Sequence, residues 1–209
     1  MNFLIFAVAL GIAPSQAAPT NAPYFPPTFR ASTVPCSDAG KVMPTEILTD
    51  LQEKWYSAQL TAAREPSLYK ASTHWSVGSG TVVRFTWLRS FHAPVFVRVE
   101  GLGTSKPRLV AKQLSGHGGY APGSISKSLD RTLSPGEAHD IHLVLARSDI
   151  AHMQPRTCDI GVDGAQWIME SVDAHGYHFV DRQSPNAGGE RDLALSLLRL
   201  TGWEVKPIY

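Results

Sequence analysis

The chain has 209 residues, 43% hydrophobic and 18% charged, with a formal net charge of +1. That apolar fraction supports a packed core and excludes wholesale disorder, and the length suits one domain better than two. Near-zero net charge removes the electrostatic basis for nucleic-acid binding, and two cysteines alone cannot build a disulfide scaffold or a Cys-rich zinc site.

Residues 2–13 read NFLIFAVALGIA. The run has the length of a signal-peptide core and falls short of the roughly 20 apolar residues of a membrane span. Pro14 breaks it, and small residues precede cleavage after Ala17 or Ala18. The expectation is a signal peptide over 1–17 and a periplasmic or secreted protein with no membrane insertion after cleavage. From Pro14 to Pro35 come six prolines among Ala, Thr and Ser. Such composition favours extended conformers, so 18–40 reads as a tether and 41–209 as a single domain.

Helical spacing of Ile47, Leu48, Leu51, Trp55 and Ala58 predicts a helix over 45–64. The period then becomes two. Strands are expected over 81–89, 95–100 and 108–114, with a fourth over 125–133. Residues 115–123 form a glycine-rich loop that lacks the Gly-Lys-Ser/Thr of a phosphate cradle. It reads as a mobile loop exposing His117 and Tyr120 as contact residues, or equally as a plain surface turn.

Ser134-Pro135-Gly136-Glu137 carries a capping box with proline at the first helical position, predicting a helix to about Arg147. Segments 165–172 and 177–182 form a hairpin around Asp173-Ala174-His175-Gly176, and a last helix over 190–201 stops at Gly202. The order predicts an α+β fold: an antiparallel sheet built from hairpins, with about three helices packed on one face. In an oxidising compartment Cys36 and Cys158 would join, closing a loop worth roughly 5 kcal/mol in the chain-entropy model.

Strand alternation gives the second hairpin two faces. Trp167, Met169 and Ser171 lie with His178, Val180 and Arg182; Ile168, Glu170 and Val172 lie with Tyr177, Phe179 and Asp181. Glu170 and Asp181 therefore share a partly apolar face. Two carboxylates so placed would have their pKa values pushed apart, as acid/base catalysis needs. The same pattern arises if each carboxylate pairs with an arginine, with Arg84, Arg98 and Arg182 available, or lies in solvent. Trp167 and Arg182 are placed to stack across the hairpin, and His178 adjoins them as a further binding candidate. His139 and His142 have the spacing for one metal ion, without the HExxH or CxxC that would support it. No cofactor is expected.

Asp163-Gly164-x-x-Trp167-x-x-Glu170, then Gly176-Tyr177 and Arg182-x-Ser184-Pro185, together with 84–98 (RFTWLRSFHAPVFVR), resembles a pattern in a family of exported proteins of Gram-negative bacteria with no known activity. The resemblance spans roughly 45–202. It implies an exported or periplasmic bacterial protein and singles out Trp167, Glu170, Tyr177 and Arg182, without a catalytic role for any of them. An Asp-Gly turn, a core Trp and a Glu–Arg pair needed only for folding would leave the same pattern. The functional expectation is a non-catalytic domain binding a protein or a cell-envelope component; the alternative is a periplasmic hydrolase using the carboxylate pair or a His-bound metal.

Overall fold

The computed structural model describes residues 23–38, 41–158, 161 and 163–209. The expected signal peptide and the first part of the expected tether lie outside them. The fold is α+β. Strands β1 (Thr33–Asp38) and β2 (Lys41–Glu46) form a small ladder, followed by helices α1 (Asp50–Ala62) and α2 (Leu68–Ser72). Strands β3 (Thr81–Arg89), β4 (Val95–Leu102), β5 (Arg108–Leu114) and β6 (Ile125–Thr132) then make an antiparallel meander. After α3 (Pro135–Ser148), strand β7 (Ala165–Asp173) returns to the free side of β3, and β8 (Gly176–Gln183) closes a hairpin on it. Helix α4 (Gly189–Leu200) follows. The sheet order is β6-β5-β4-β3-β7-β8, antiparallel throughout.

Helices cover both faces of this sheet, not one as the element order suggested. Val83, Phe85 and Trp87 of β3, Val97 of β4 and Met169 of β7 pack with Ile141 of α3 and Leu193 and Leu197 of α4. The alternate residues Leu88, Phe96, Leu114, Ile168 and Phe179 pack with Tyr56, Leu60 and Ala63 from α1 and its end. The cause lies in β3, which is buried continuously from Val83 to Arg89. A strand that places large side chains in both phases must be covered twice.

The N-terminal segment differs from the expected tether. From Pro23 it is part of the fold: Phe25 is fully buried, with ring centroids 6.3 Å from Tyr56 and 5.6 Å from Phe179. A 3-10 turn spans Pro27–Arg30 and leads into β1. Prolines hid this hairpin, since Pro35 and Pro44 face each other across its ladder. A two-stranded ladder outside the main sheet tolerates missing N–H donors better than a central strand does. Cys36 of β1 is bonded to Cys158, with Cα atoms 5.3 Å apart, as expected from the compartment argument.

Helix α1 starts later than its apolar spacing suggested, because Thr49 and Gln52 form a capping box there. Its buried face is therefore Tyr56, Gln59 and Leu60, whereas Leu51 is 77% exposed. The Ser134–Glu137 capping box forms on α3 as read, and Gly202, at φ 65°, follows the end of α4.

Candidate binding site

The glycine-rich loop between β5 and β6, expected to be mobile, is hydrogen-bonded to itself, to the β3–β4 turn and to α1. Gly116 N donates to Pro122 O and His117 N to Ala121 O, which zips the loop onto itself. Gly118 N donates to His92 O at 2.9 Å and Gly119 N to Ser90 O at 3.3 Å, which ties it to the β3–β4 turn. From α1, Trp55 Nε1 donates to Gly118 O at 2.6 Å, and Gln59 Nε2 reaches the carbonyls of Gly118 and Tyr120 at 3.1 and 3.0 Å. A Cβ on Gly118 would lie 2.4 Å from Arg89 N, so the loop approaches the β3 backbone too closely for any side chain.

This mounting presents an aromatic rim. Tyr120 is 63% exposed and Phe91, from the β3–β4 turn, 53% exposed. Their ring centroids are 6.2 Å apart, and the exposed His117 ring stands 6.5 Å from Tyr120, nearly perpendicular to it. Beside the rim is a cleft of about 230 Å3 whose lining includes Trp55, Ser90, Tyr120, Asp163, Gln166 and Gln183. Gln166 and Gln183 are opposed in the β7–β8 register. The Gln166 amide donates to Gln183 Oε1, and Gln183 Nε2 donates to Asp163 O at 3.0 Å. Among the described residues the lining holds neither lysine nor arginine. His117 and Tyr120 were legible as exposed loop residues. Phe91, Trp55 and the two glutamines were not, although pairing 166 with 183 follows from the hairpin register.

The other expected binding residues lie elsewhere. Trp167 is wholly buried against Phe85 and Trp87, with its indole donating to Tyr209 O at 2.9 Å, so it offers no surface to a ligand. It stands opposite Arg182 in the ladder, and the Arg191 guanidinium lies 5.1 Å from its ring centroid. Arg182 is half-buried, bonding Asp181 O and Gln154 O. His178 is half-buried with Nε2 3.3 Å from Asp173 Oδ1. His139 and His142 are both exposed on α3, and no group of three or more potential metal ligands occurs among the described residues.

Glu170 and Asp181 do share a face, but each is bonded to its own partners. Glu170 Oε2 accepts from Arg84 Nε and Nη2 at 2.8 and 2.6 Å, and Oε1 accepts from Tyr177 OH at 2.9 Å. Arg84 also donates to Pro66 O and lies 3.6 Å from Glu65, itself paired with Arg98 and Lys112. Burial pushes the Glu65 carboxyl up, but Arg98, Arg84 and Lys112 outweigh it and hold it below its ordinary value. Asp181 Oδ2 accepts from Tyr56 OH at 2.9 Å, while Oδ1 is buried without a partner among the described residues. Burial raises the Asp181 carboxyl to about 6, against the Tyr56 hydrogen bond and the charges of Arg156 and Arg182. Glu170 opposes Phe179, and Asp181 opposes Ile168, so the carboxylates sit on a diagonal with Cα spacing of roughly 7–8 Å.

No family model matches the chain, and no curated protein matches it. Of the residues singled out by the resemblance, Tyr177 donates to Glu170, Trp167 is in the core and Arg182 is half-buried.

Proposed function

We propose that the protein is an exported, non-catalytic binding domain of the Gram-negative cell envelope, periplasmic or secreted, that meets another protein or an envelope component through the rim of Phe91, His117 and Tyr120. The observation that carries this reading is the rim's mounting. Tyr120 stands exposed on a loop that α1 and the β3–β4 turn hold by hydrogen bonds, and Phe91 stands exposed on that turn beside it. Exposed aromatics on a rigid support offer contact area at little ordering cost, the usual character of energetic anchors in interfaces. The Cys36–Cys158 bond and the apolar segment at 2–13 support export.

The hydrolase reading has Asp181 in its favour, since a carboxyl near 6 suits a general acid. Its second carboxylate, Glu170, is already bound by Arg84 and Tyr177. The test is a photo-reactive amino acid at position 120, compared with position 77, where Val77 is 95% exposed. Discrete adducts with envelope material from position 120 alone support the proposal; equal adducts from both positions, or none, reject it.

A further inference from the structure

We infer that the cleft beside Tyr120 is a saccharide subsite that takes one ring of a neutral glycan. This deepens the proposed function and rests on the Tyr120 rim being the contact surface. A sugar ring has an apolar C–H face and an edge of hydroxyls, each of which both donates and accepts. The cleft supplies both complements. The exposed Tyr120 ring, with Trp55 in the lining, offers aromatic surface to the C–H face. Gln166 and Gln183 carry amides that donate and accept, and Asp163 adds an acceptor for hydroxyl protons.

The amides are oriented in advance. Gln166 donates to Gln183, and Gln183 donates to the Asp163 carbonyl, so two long side chains are ordered before any ligand arrives. The charge pattern excludes the main competitors. A phosphate, sulfate or uronate would meet Asp163 with no cationic side chain among the described lining residues. A hard cation would find one carboxylate among the described lining residues where it prefers several oxygen ligands. An acyl chain would desolvate the Asp163 carboxylate and the glutamine donors and acceptors left over from their mutual hydrogen bonds. At about 230 Å3 the cleft is smaller than the roughly 300–1,000 Å3 usual for drug-sized ligands. One ring fits inside, and the neighbouring residues of a glycan would pass over Tyr120 toward Phe91.

The test is calorimetric titration of the folded, disulfide-bonded protein with chitotriose, maltotriose and a sulfated oligosaccharide of similar length. Saturable binding of at least one neutral trisaccharide is expected, weakened at least tenfold in Tyr120→Ala and Gln166→Ala and retained in Tyr120→Phe. Tyr120 is 63% exposed, so its truncation leaves the fold intact, which an unchanged melting temperature verifies. No binding of either neutral sugar, binding indifferent to Tyr120→Ala, or tighter binding of the sulfated sugar overturns the inference. If the sugars do not bind while position 120 still cross-links to envelope material, the subsite is refuted and the binding-domain reading stands; if both fail, both are refuted.

Discussion

Arg84 and Glu170 face each other directly across β3 and β7, joined at 2.6 Å with both side chains wholly removed from solvent. Arg84 also pairs in register with Arg98 on its other side, so two like charges would lie next to each other without the acids between and beside them. Burying such charges is tolerable only when they are paired and hydrogen-bonded. Glu170→Gln should therefore destabilise the protein by about 3–5 kcal/mol, the usual cost of leaving a buried charge unmatched. Urea unfolding measures it. The double variant Arg84→Met/Glu170→Leu should recover part of that loss, because it removes the charge along with its partner.

The Cys36–Cys158 bond ties the β1–β2 hairpin to a residue 122 positions away. Removing both cysteines with Cys36→Ala/Cys158→Ala should lower stability by about 2–5 kcal/mol. Denaturation with and without reductant reads this: the native protein should weaken when reduced, and the double variant should be indifferent to reductant.

Asp181 sets a pH dependence of unusual sign for a carboxylate. Its folded value, about 6, lies above its ordinary 3.8 because burial disfavours the charged form. Between these values the folded state binds more protons than the unfolded one. The group therefore favours folding as pH falls toward 4 and opposes it as pH rises past 6. Asp181→Asn mimics the protonated acid at every pH. Its stability relative to the native protein should rise from near zero below pH 4 to about 3 kcal/mol above pH 7. Melting curves across that range check this, and a difference independent of pH would count against it. Glu137, held near 2 by Arg131 and Ser134, gives the opposite slope at lower pH and cancels in the comparison.

Gly118→Ala would place a methyl group 2.4 Å from the Arg89 backbone nitrogen and 2.5 Å from the Leu88 carbonyl carbon. The backbone must move, at about 1–3 kcal/mol for overpacking. The Trp55–Gly118 hydrogen bond should break with it. Hydrogen exchange at 115–123 should accelerate in this variant while the amides of β3 and β7 stay protected.

The legible parts of the fold had strong local causes. The Ser134–Glu137 capping box marked α3, and β-rich alternation marked β3 and β4. The face assignment of the β7–β8 hairpin followed from period two and is the register found. What escaped depended on distant partners. Phe25 has no helical or strand neighbours to signal its burial; it is fixed by Tyr56 and Phe179, far along the chain. The β1–β2 ladder was masked by Pro35 and Pro44. In the site, Tyr120 and His117 were visible because glycine-rich loops expose what they carry. Phe91 belonged to a different turn and Trp55 to a helix, so only tertiary packing unites them. Trp167 misled in the opposite direction, since a large aromatic opposite an arginine looks the same in sequence whether it is core or surface.

The most direct test of the binding-domain account is co-sedimentation of the purified protein with isolated Gram-negative cell envelopes, comparing the native chain with Phe91→Ala/Tyr120→Ala. Both residues are more than half exposed, so the two proteins should melt at the same temperature. The account predicts that the native protein sediments with the envelopes and the double variant stays in solution. Equal sedimentation of the two, or none of either, would contradict it.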